Sequence, residues 1–299
     1  MLMSLAVRDV ASLSRLARVC KRFAFLVATE DRTWKRVTLG AEVGFAAMHY
    51  TYACDLQGVP LMERFLLVDA LETAKLPLFR DLTPAVWPSY RLQFRHRPRI
   101  RFNGCYISTV NYTRPGASHQ SRFTWTSPVQ IVTYYRYLRF FRDGTVISLL
   151  TTVEPADVVH HLIKDNLHKH HTGALPSAVM RDALRGRWRL SGPTNAMHLN
   201  VGEDEDGKGP GEYLKEPSPV VEEEEGELHV ETEGVLPKYM WKMQFVVGSA
   251  GRKDGTRNNK LTWKGFWSYN RLTDDWGEFG LKNDKAYYWS RVKSYGTAI

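Results

Sequence analysis

Residues 129–152 constrain the fold of this chain more than any other stretch. VQIVTYYRYLRFF runs into Arg142-Asp143-Gly144 and leaves through TVISLLTT. Both arms are rich in β-branched and aromatic side chains, which suit a pleated, half-buried surface. Asp-Gly between two such arms is the strongest short-range hairpin signal, because both turn positions favour positive φ. A single hairpin is barely stable in water and needs more strands beside it. The C-terminal third supplies them. Tyr239, Trp241, Met243, Phe245 and Val247 alternate with Lys242 and Gln244, the period of a strand with one face inward. Leu261, Trp263, Trp267 and Tyr269 repeat the pattern, with Thr262, Lys264 and Ser268 opposite. Further strands are expected from Trp276 to Leu281 and from Tyr287 to Lys293. Consecutive antiparallel strands joined by short turns close most simply into an up-and-down barrel, which also hides their edges.

Three other segments bear on the barrel. Residues 89–108 interleave Arg91, Arg95, Arg97, Arg99 and Arg101 with Leu92, Phe94, Ile100 and Phe102. Such a pattern can bind phosphate backbones, but the reading preferred here is the polar face of a strand entering the barrel, kinked at Asn103-Gly104. Residues 154–184 read as a helical or loop excursion. Residues 201–234 are acidic and rich in Gly and Pro, so they are expected to form a disordered insertion, with Leu228-His229-Val230 open as a strand.

Before the barrel lies a different periodicity. In LSRLARVCKRFAFLVATEDRTWKRV, residues 13–37, Leu13, Leu16, Cys20, Phe23 and Val27 fall at steps of three and four. That spacing predicts one face of an amphipathic helix, with Arg15, Arg18, Lys21 and Arg22 largely on the solvated side. Ser12 is positioned to cap it, and Thr29 or Asp31 to cap a second short helix carrying Trp34 and Val37. Helices this short need a partner surface. Periodicity alone leaves open whether that surface is the chain's own core or another protein. Between them, from Gly40 to about Trp87, a mixed helical pattern broken by Pro60, Pro77 and Pro84 predicts short connector helices.

Leu16, the Val19-Cys20-Lys21-Arg22-Phe23 run, Leu26, Asp31 and Trp34 resemble the second half of an F-box. An F-box normally opens with a Leu-Pro-containing helix, and this chain begins at Met1 after that helix should have passed. The stretches RFNGCYIS, VTYYRYLRFFRDGTVISLLTT, GRWRLS and SRVKSY occur in this order and resemble the C-terminal domain of the F-box-only protein nine family, which includes fungal F-box proteins. The resemblance implies a lipocalin-like barrel and a substrate-recognition adaptor of a Skp–cullin–F-box ubiquitin ligase. It places the Skp-adaptor contact on Leu5, Leu13, Leu16, Val19, Cys20, Phe23, Leu26 and Trp34, and an unidentified protein target on the barrel.

The expected organisation is α+β, with a partial F-box at 1–40, a helical connector at 41–98 and a β-barrel at 99–299. The alternative is a barrel that binds a small molecule or lipid, with Trp241, Phe245, Trp263 and Trp267 lining the lumen. The formal charge of +9 permits contact with nucleic acid or acidic membrane without requiring it, and neither is the expected partner. Arg8 and Asp9 break the one apolar run near Met1, leaving it too short for a secretory signal. Cys20, Cys54 and Cys105 follow no metal or disulfide spacing, which suggests a reduced interior and a cytoplasmic, also nuclear, location. His160, His161, His168, His170 and His171 are read as a polar surface segment rather than a metal site. Phosphate-loop, nucleophile-elbow, zincin and dinucleotide-binding motifs are missing from the sequence. The expectation is therefore a non-enzymatic protein without cofactor or metal.

Overall fold

The computed structural model describes residues 2–61, 87–115, 129–167, 177–192, 224–251 and 256–295. Nine strands form one antiparallel sheet: β1 (Gly104–Pro115), β2 (Val129–Phe140), β3 (Thr145–Thr151), β4 (Leu184–Leu190), β5 (Glu227–Glu233), β6 (Tyr239–Gly248), β7 (Lys260–Asn270), β8 (Asp275–Glu278) and β9 (Tyr287–Arg291). From β1 to β7 each strand pairs with the next in sequence, and β9 bonds to both β7 and β1. Eight strands thus close a barrel, and β8 stays outside it as a flap on β7. The expected mixed class and antiparallel barrel are what the chain adopts.

The predicted hairpin is β2–β3. Its turn differs from the expected one. Only Gly144 has positive φ, at 84°, and its N–H donates to the Phe141 carbonyl at 3.3 Å. Asp143 keeps ordinary backbone angles and accepts from the Thr145 amide and hydroxyl at 3.2 and 2.7 Å. A side chain at Gly144 would be strained by φ and would also press on Ala53.

The lumen is filled by the chain itself. Tyr106, Leu138, Phe140, Val146, Trp188 and Phe245 lie at its centre, all essentially inaccessible. Phe45, Ala47 and Met48, from the segment after the N-terminal helices, enter the same cluster and plug one end. At the other end the 284–285 loop closes over the strands. Arg136 pairs with Asp284 at 2.5 Å, and the Lys285 carbonyl accepts from Ser108 and Trp263 at 2.7 and 3.2 Å.

The excursion after β3 carries α6 (Pro155–Val158) and several 3₁₀ turns. Val158, Leu162 and Met180 cover Cys105, Tyr137, Ile147 and Leu149 on the outer wall. This is why β3 is buried on both faces and reads as a continuous apolar run.

Several expectations are corrected. The basic stretch 89–98 is not a strand. It forms α5 (Tyr90–His96), capped by Ser89, whose hydroxyl accepts from the Leu92 amide at 3.3 Å. Residues 227–233, inside the span expected to be disordered, are β5 in the barrel wall, and its residues 227–232 are buried. Local charge hid this strand, and cross-strand partners explain it. Glu231 accepts from Arg187 on β4 at 2.7 Å, and Glu227 accepts from Gln244 on β6 at 2.7 Å and pairs with Lys264 on β7. Leu228 and Val230 meanwhile face the core. The rest of that acidic insertion, residues 201–223, lies outside the described residues. So do 62–86 of the connector. Of its described parts, 41–61 holds one 3₁₀ turn at Phe45–Ala47 and an isolated β-bridge between Cys54 and Pro60, and 87–98 holds α5.

The alternation of β7 also changes partway. Phe245 pairs with Trp263 but Gln244 pairs with Gly265, so Lys264 is an extra residue, a β-bulge. One inserted residue moves every later side chain to the opposite face. Phe266, opposite Met243, therefore turns inward beside Trp263. Trp267, expected inside, turns outward opposite Lys242, with its ring where a side chain at Gly265 would sit.

Candidate functional site

The N-terminal helices are α1 (Leu2–Arg8), α2 (Val10–Leu16), α3 (Lys21–Thr29) and α4 (Asp31–Leu39). The single helix expected from Leu13 to Val27 is broken at 17–20, so the apolar stripe is divided between α2 and α3. Asp9, not Ser12, caps α2. Its carboxylate accepts from the Ala11 amide at 3.1 Å and from the Ser12 hydroxyl at 2.7 Å. Glu30 precedes α4 without a capping side-chain bond, and Thr29 instead donates back to the Phe25 carbonyl at 2.8 Å.

These helices have a core of their own. Leu13, Val27, Trp34 and Val37 pack against Tyr90 and Phe94 of α5. The Trp34 indole N–H donates to the Val27 carbonyl at 2.6 Å, and its ring lies 6.1 Å from that of Phe94. Of the eight residues expected at the adaptor contact, Leu13 and Trp34 are thus buried inside the chain. Leu5, Leu16, Phe23 and Leu26 are half-buried, and Val19 and Cys20 are exposed. The structure adds two residues that stripe counting missed. Met3 is 44% exposed and Phe25 66% exposed, close to the 69% of Val19. The signal for Phe25 was available in the sequence, as an aromatic residue placed off the apolar stripe of a short helix.

The lumen candidates divide. Phe245 is fully buried, with ring centroids 4.4 Å from Trp263 and 5.4 Å from Tyr287. Trp241 packs on Phe266 and on Phe279 of the segment after β8. Trp267 is on the outer face. These rings fill space between one another, so they read as core rather than as the lining of a ligand chamber.

Burial pushes the Cys105 thiol up to about 12 and the Cys54 thiol up to about 11, away from reactive thiolate. Among the described residues no group of His, Cys, Asp and Glu is placed to hold a metal. The His160 ring is 2.7 Å from the Ser294 hydroxyl; His168, His170 and His171 lie outside the described residues.

A second feature sits where helices and barrel meet. A cleft of about 690 Å³ is walled by α2, α5, the approach to β1, the β2–β3 turn and β9. Arg8, Arg15, Arg18, Arg91 and Arg95 line it from the helices, and Arg99, Arg101, Arg142, Arg257 and Arg291 from the barrel side. Among the described residues Asp9 is its one carboxylate, and it is bonded to Arg291 at 3.0 Å. Arg99 stacks on Phe94 at 3.8 Å and donates to the Phe94 carbonyl. Arg101 stacks on Trp289 at 4.6 Å and donates twice to the Arg257 carbonyl, at 3.1 and 2.7 Å. Burial, and then the neighbouring Arg101 charge, hold the Arg99 guanidinium down at about 9. The strand expected at 89–98 would have scattered these charges along a sheet face. Helix and coil gather them into a concavity.

Residues 84–201 match a family model described as the F-box only protein C-terminal region. The chain is 29% identical over 209 residues to F-box protein HRT3 of Saccharomyces cerevisiae, a span covering 69% of this chain and 46% of that protein. It is 29% identical over 217 residues to F-box protein pof7 of Schizosaccharomyces pombe, covering 72% of this chain and 48% of that one. The chain therefore spans about half the length of these curated relatives. No solved structure matches it.

Proposed function

We propose, from the match of residues 84–201 to the F-box only protein C-terminal region and the likeness to two fungal F-box proteins, that this chain is a substrate-recognition adaptor of a Skp–cullin–F-box ubiquitin ligase. The helical unit docks on the Skp adaptor and, through it, on cullin. The barrel presents a target protein for ubiquitination in the cytoplasm. The chain contributes proximity and orientation, and the bond-making is left to other subunits.

One observation carries this reading. Four short helices keep Leu13, Val27 and Trp34 for their own core yet leave Met3, Val19 and Phe25 in solvent. Large apolar side chains on a folded helical surface are expected where a partner covers them. The buried set fixes the shape and the exposed set supplies the contact. Burying each exposed side chain is worth ~1.5–3 kcal/mol, so losing two lowers affinity by orders of magnitude.

The test is co-purification of the full chain with a fungal Skp adaptor, beside a Val19→Asp, Phe25→Asp variant whose fold is checked by circular dichroism. The parent is expected to bind and the folded variant to fail. Equal binding by both would remove the helical surface from the mechanism. The lumen-binding alternative gains no support from a barrel interior occupied by its own rings.

A further inference from the structure

The arginine cleft is not used by adaptor docking, and its construction points to a ligand. Among the described residues, Arg8, Arg15, Arg18, Arg91, Arg99 and Arg101 form no ion pair with a carboxylate. Instead, aromatic faces and backbone carbonyls hold several of them, Arg91 over Trp34 at 5.9 Å as well as Arg99 and Arg101. Stacking and carbonyl bonds fix a guanidinium in place without neutralising it. Like charges brought together at a partly buried surface repel, and a bound anion relieves that repulsion.

We propose that the cleft binds a compact polyphosphorylated anion, several phosphate groups on one small body, bridging the helical unit and the barrel. Guanidinium forks match phosphate oxygens in paired, charge-assisted hydrogen bonds. The number of forks exceeds what a single phosphate satisfies, and about 690 Å³ is in the range of a small-molecule site. The neighbouring strands argue against an extended peptide. β1 is paired on one side with β2 and on the other with β9, so its paired edge at the cleft offers no free ladder for strand addition. The two walls come from distant parts of the chain, α2 and β9, whose direct link here is the Asp9–Arg291 pair. A ligand reaching both walls therefore also raises the melting temperature.

The experiment is titration calorimetry and thermal melting of the full chain with inositol hexakisphosphate in about 0.15 M salt, where exposed charges are largely screened. Tripolyphosphate, inorganic phosphate and benzene hexacarboxylate run alongside. The expected result is saturable one-to-one binding of inositol hexakisphosphate, weaker binding of tripolyphosphate, and little binding of phosphate or the carboxylate. Arg15→Ser with Arg18→Ser, both at exposed positions, should weaken binding about ten-fold or more. Arg101→Lys should weaken it too, because lysine keeps the charge and loses the fork. Arg32→Ser, exposed and outside the cleft, should change nothing. Absence of saturable binding to folded protein would overturn the proposal. So would equal affinity for the carboxylate, equal loss in Arg32→Ser, or a phosphopeptide that displaces inositol hexakisphosphate at lower concentration. None of these measurements involves the Skp adaptor, so the result is separable from the docking reading.

Discussion

The barrel and the helical unit solve the same problem with unequal means. The barrel closes eight strands around one cluster, plugs one end with Phe45, Ala47 and Met48, and caps the other with Asp284 and Lys285. The helical unit has four helices of seven to nine residues, each too short to be stable alone. It borrows Tyr90 and Phe94 from α5 to complete its core and still leaves Val19 and Phe25 outside. A closed sheet can satisfy itself, whereas a few short helices keep a surface for something else. The two are sewn together by the 45–48 plug and by the Asp9–Arg291 pair.

The largest effect that would probe this contrast is in the barrel. Trp188 is fully buried, contacts the rings of His49, Phe102 and Phe140, and donates to the Phe141 carbonyl at 3.0 Å. Trp188→Ala should cost about 3–5 kcal/mol in denaturant unfolding and lower the main transition as a whole. Trp34→Ala removes a comparable ring from the smaller core and should cost about 3 kcal/mol, confined to the helices. Hydrogen exchange should then show loss of protection in residues 10–39 with the barrel amides still protected. Equal loss in both regions would mean that they unfold as one unit.

Val19→Asp with Phe25→Asp should change stability by no more than ~0.5 kcal/mol per site while abolishing adaptor capture. A large drop in stability would instead place these side chains in a core. The smallest effect is a pH dependence at the seam. Burial pushes the Asp9 carboxyl up, but bonds from Ser12 and Arg291, the Arg291 charge and the Ala11 amide outweigh it, leaving it below its ordinary 3.8. A lowered folded-state pKa stabilises the fold above about 3.8 and is lost as pH falls through the folded value. Asp9→Asn should therefore lower melting slightly at neutral pH, where the carboxylate's contribution is present, and converge with the parent below about pH 4, which flattens the acid limb. An unchanged acid limb would remove this pair from the link between the two regions.

What was legible in the sequence follows the range of the interactions. The β2–β3 hairpin, the inward set on β6 and the position of Trp34 on a short helix are encoded by neighbours within a few residues. Where a distant partner decided, local reading failed. β5, apart from Leu228-His229-Val230, looked like a charged loop because Arg187 and Lys264, the partners of its glutamates, lie about forty residues away in either direction. Trp267 looked inward because a period of two was carried through Lys264, where the bulge adds a residue. Six of the eight adaptor candidates share one motif, yet sequence could not separate Trp34, which builds the unit, from Val19, which lies on its surface.

The sequence by itself therefore determined that this chain makes antiparallel strands behind a short amphipathic helical segment, since side-chain periodicity and turn chemistry are properties of neighbouring residues. Tertiary structure decided the rest. The plug enters the lumen, β9 closes the sheet, and the arginines of α2, α5 and the approach to β1 face one cleft only because segments far apart in the chain are brought together. Periodicity specifies which way a side chain points within its own element, and only closure of the barrel specifies what it meets there.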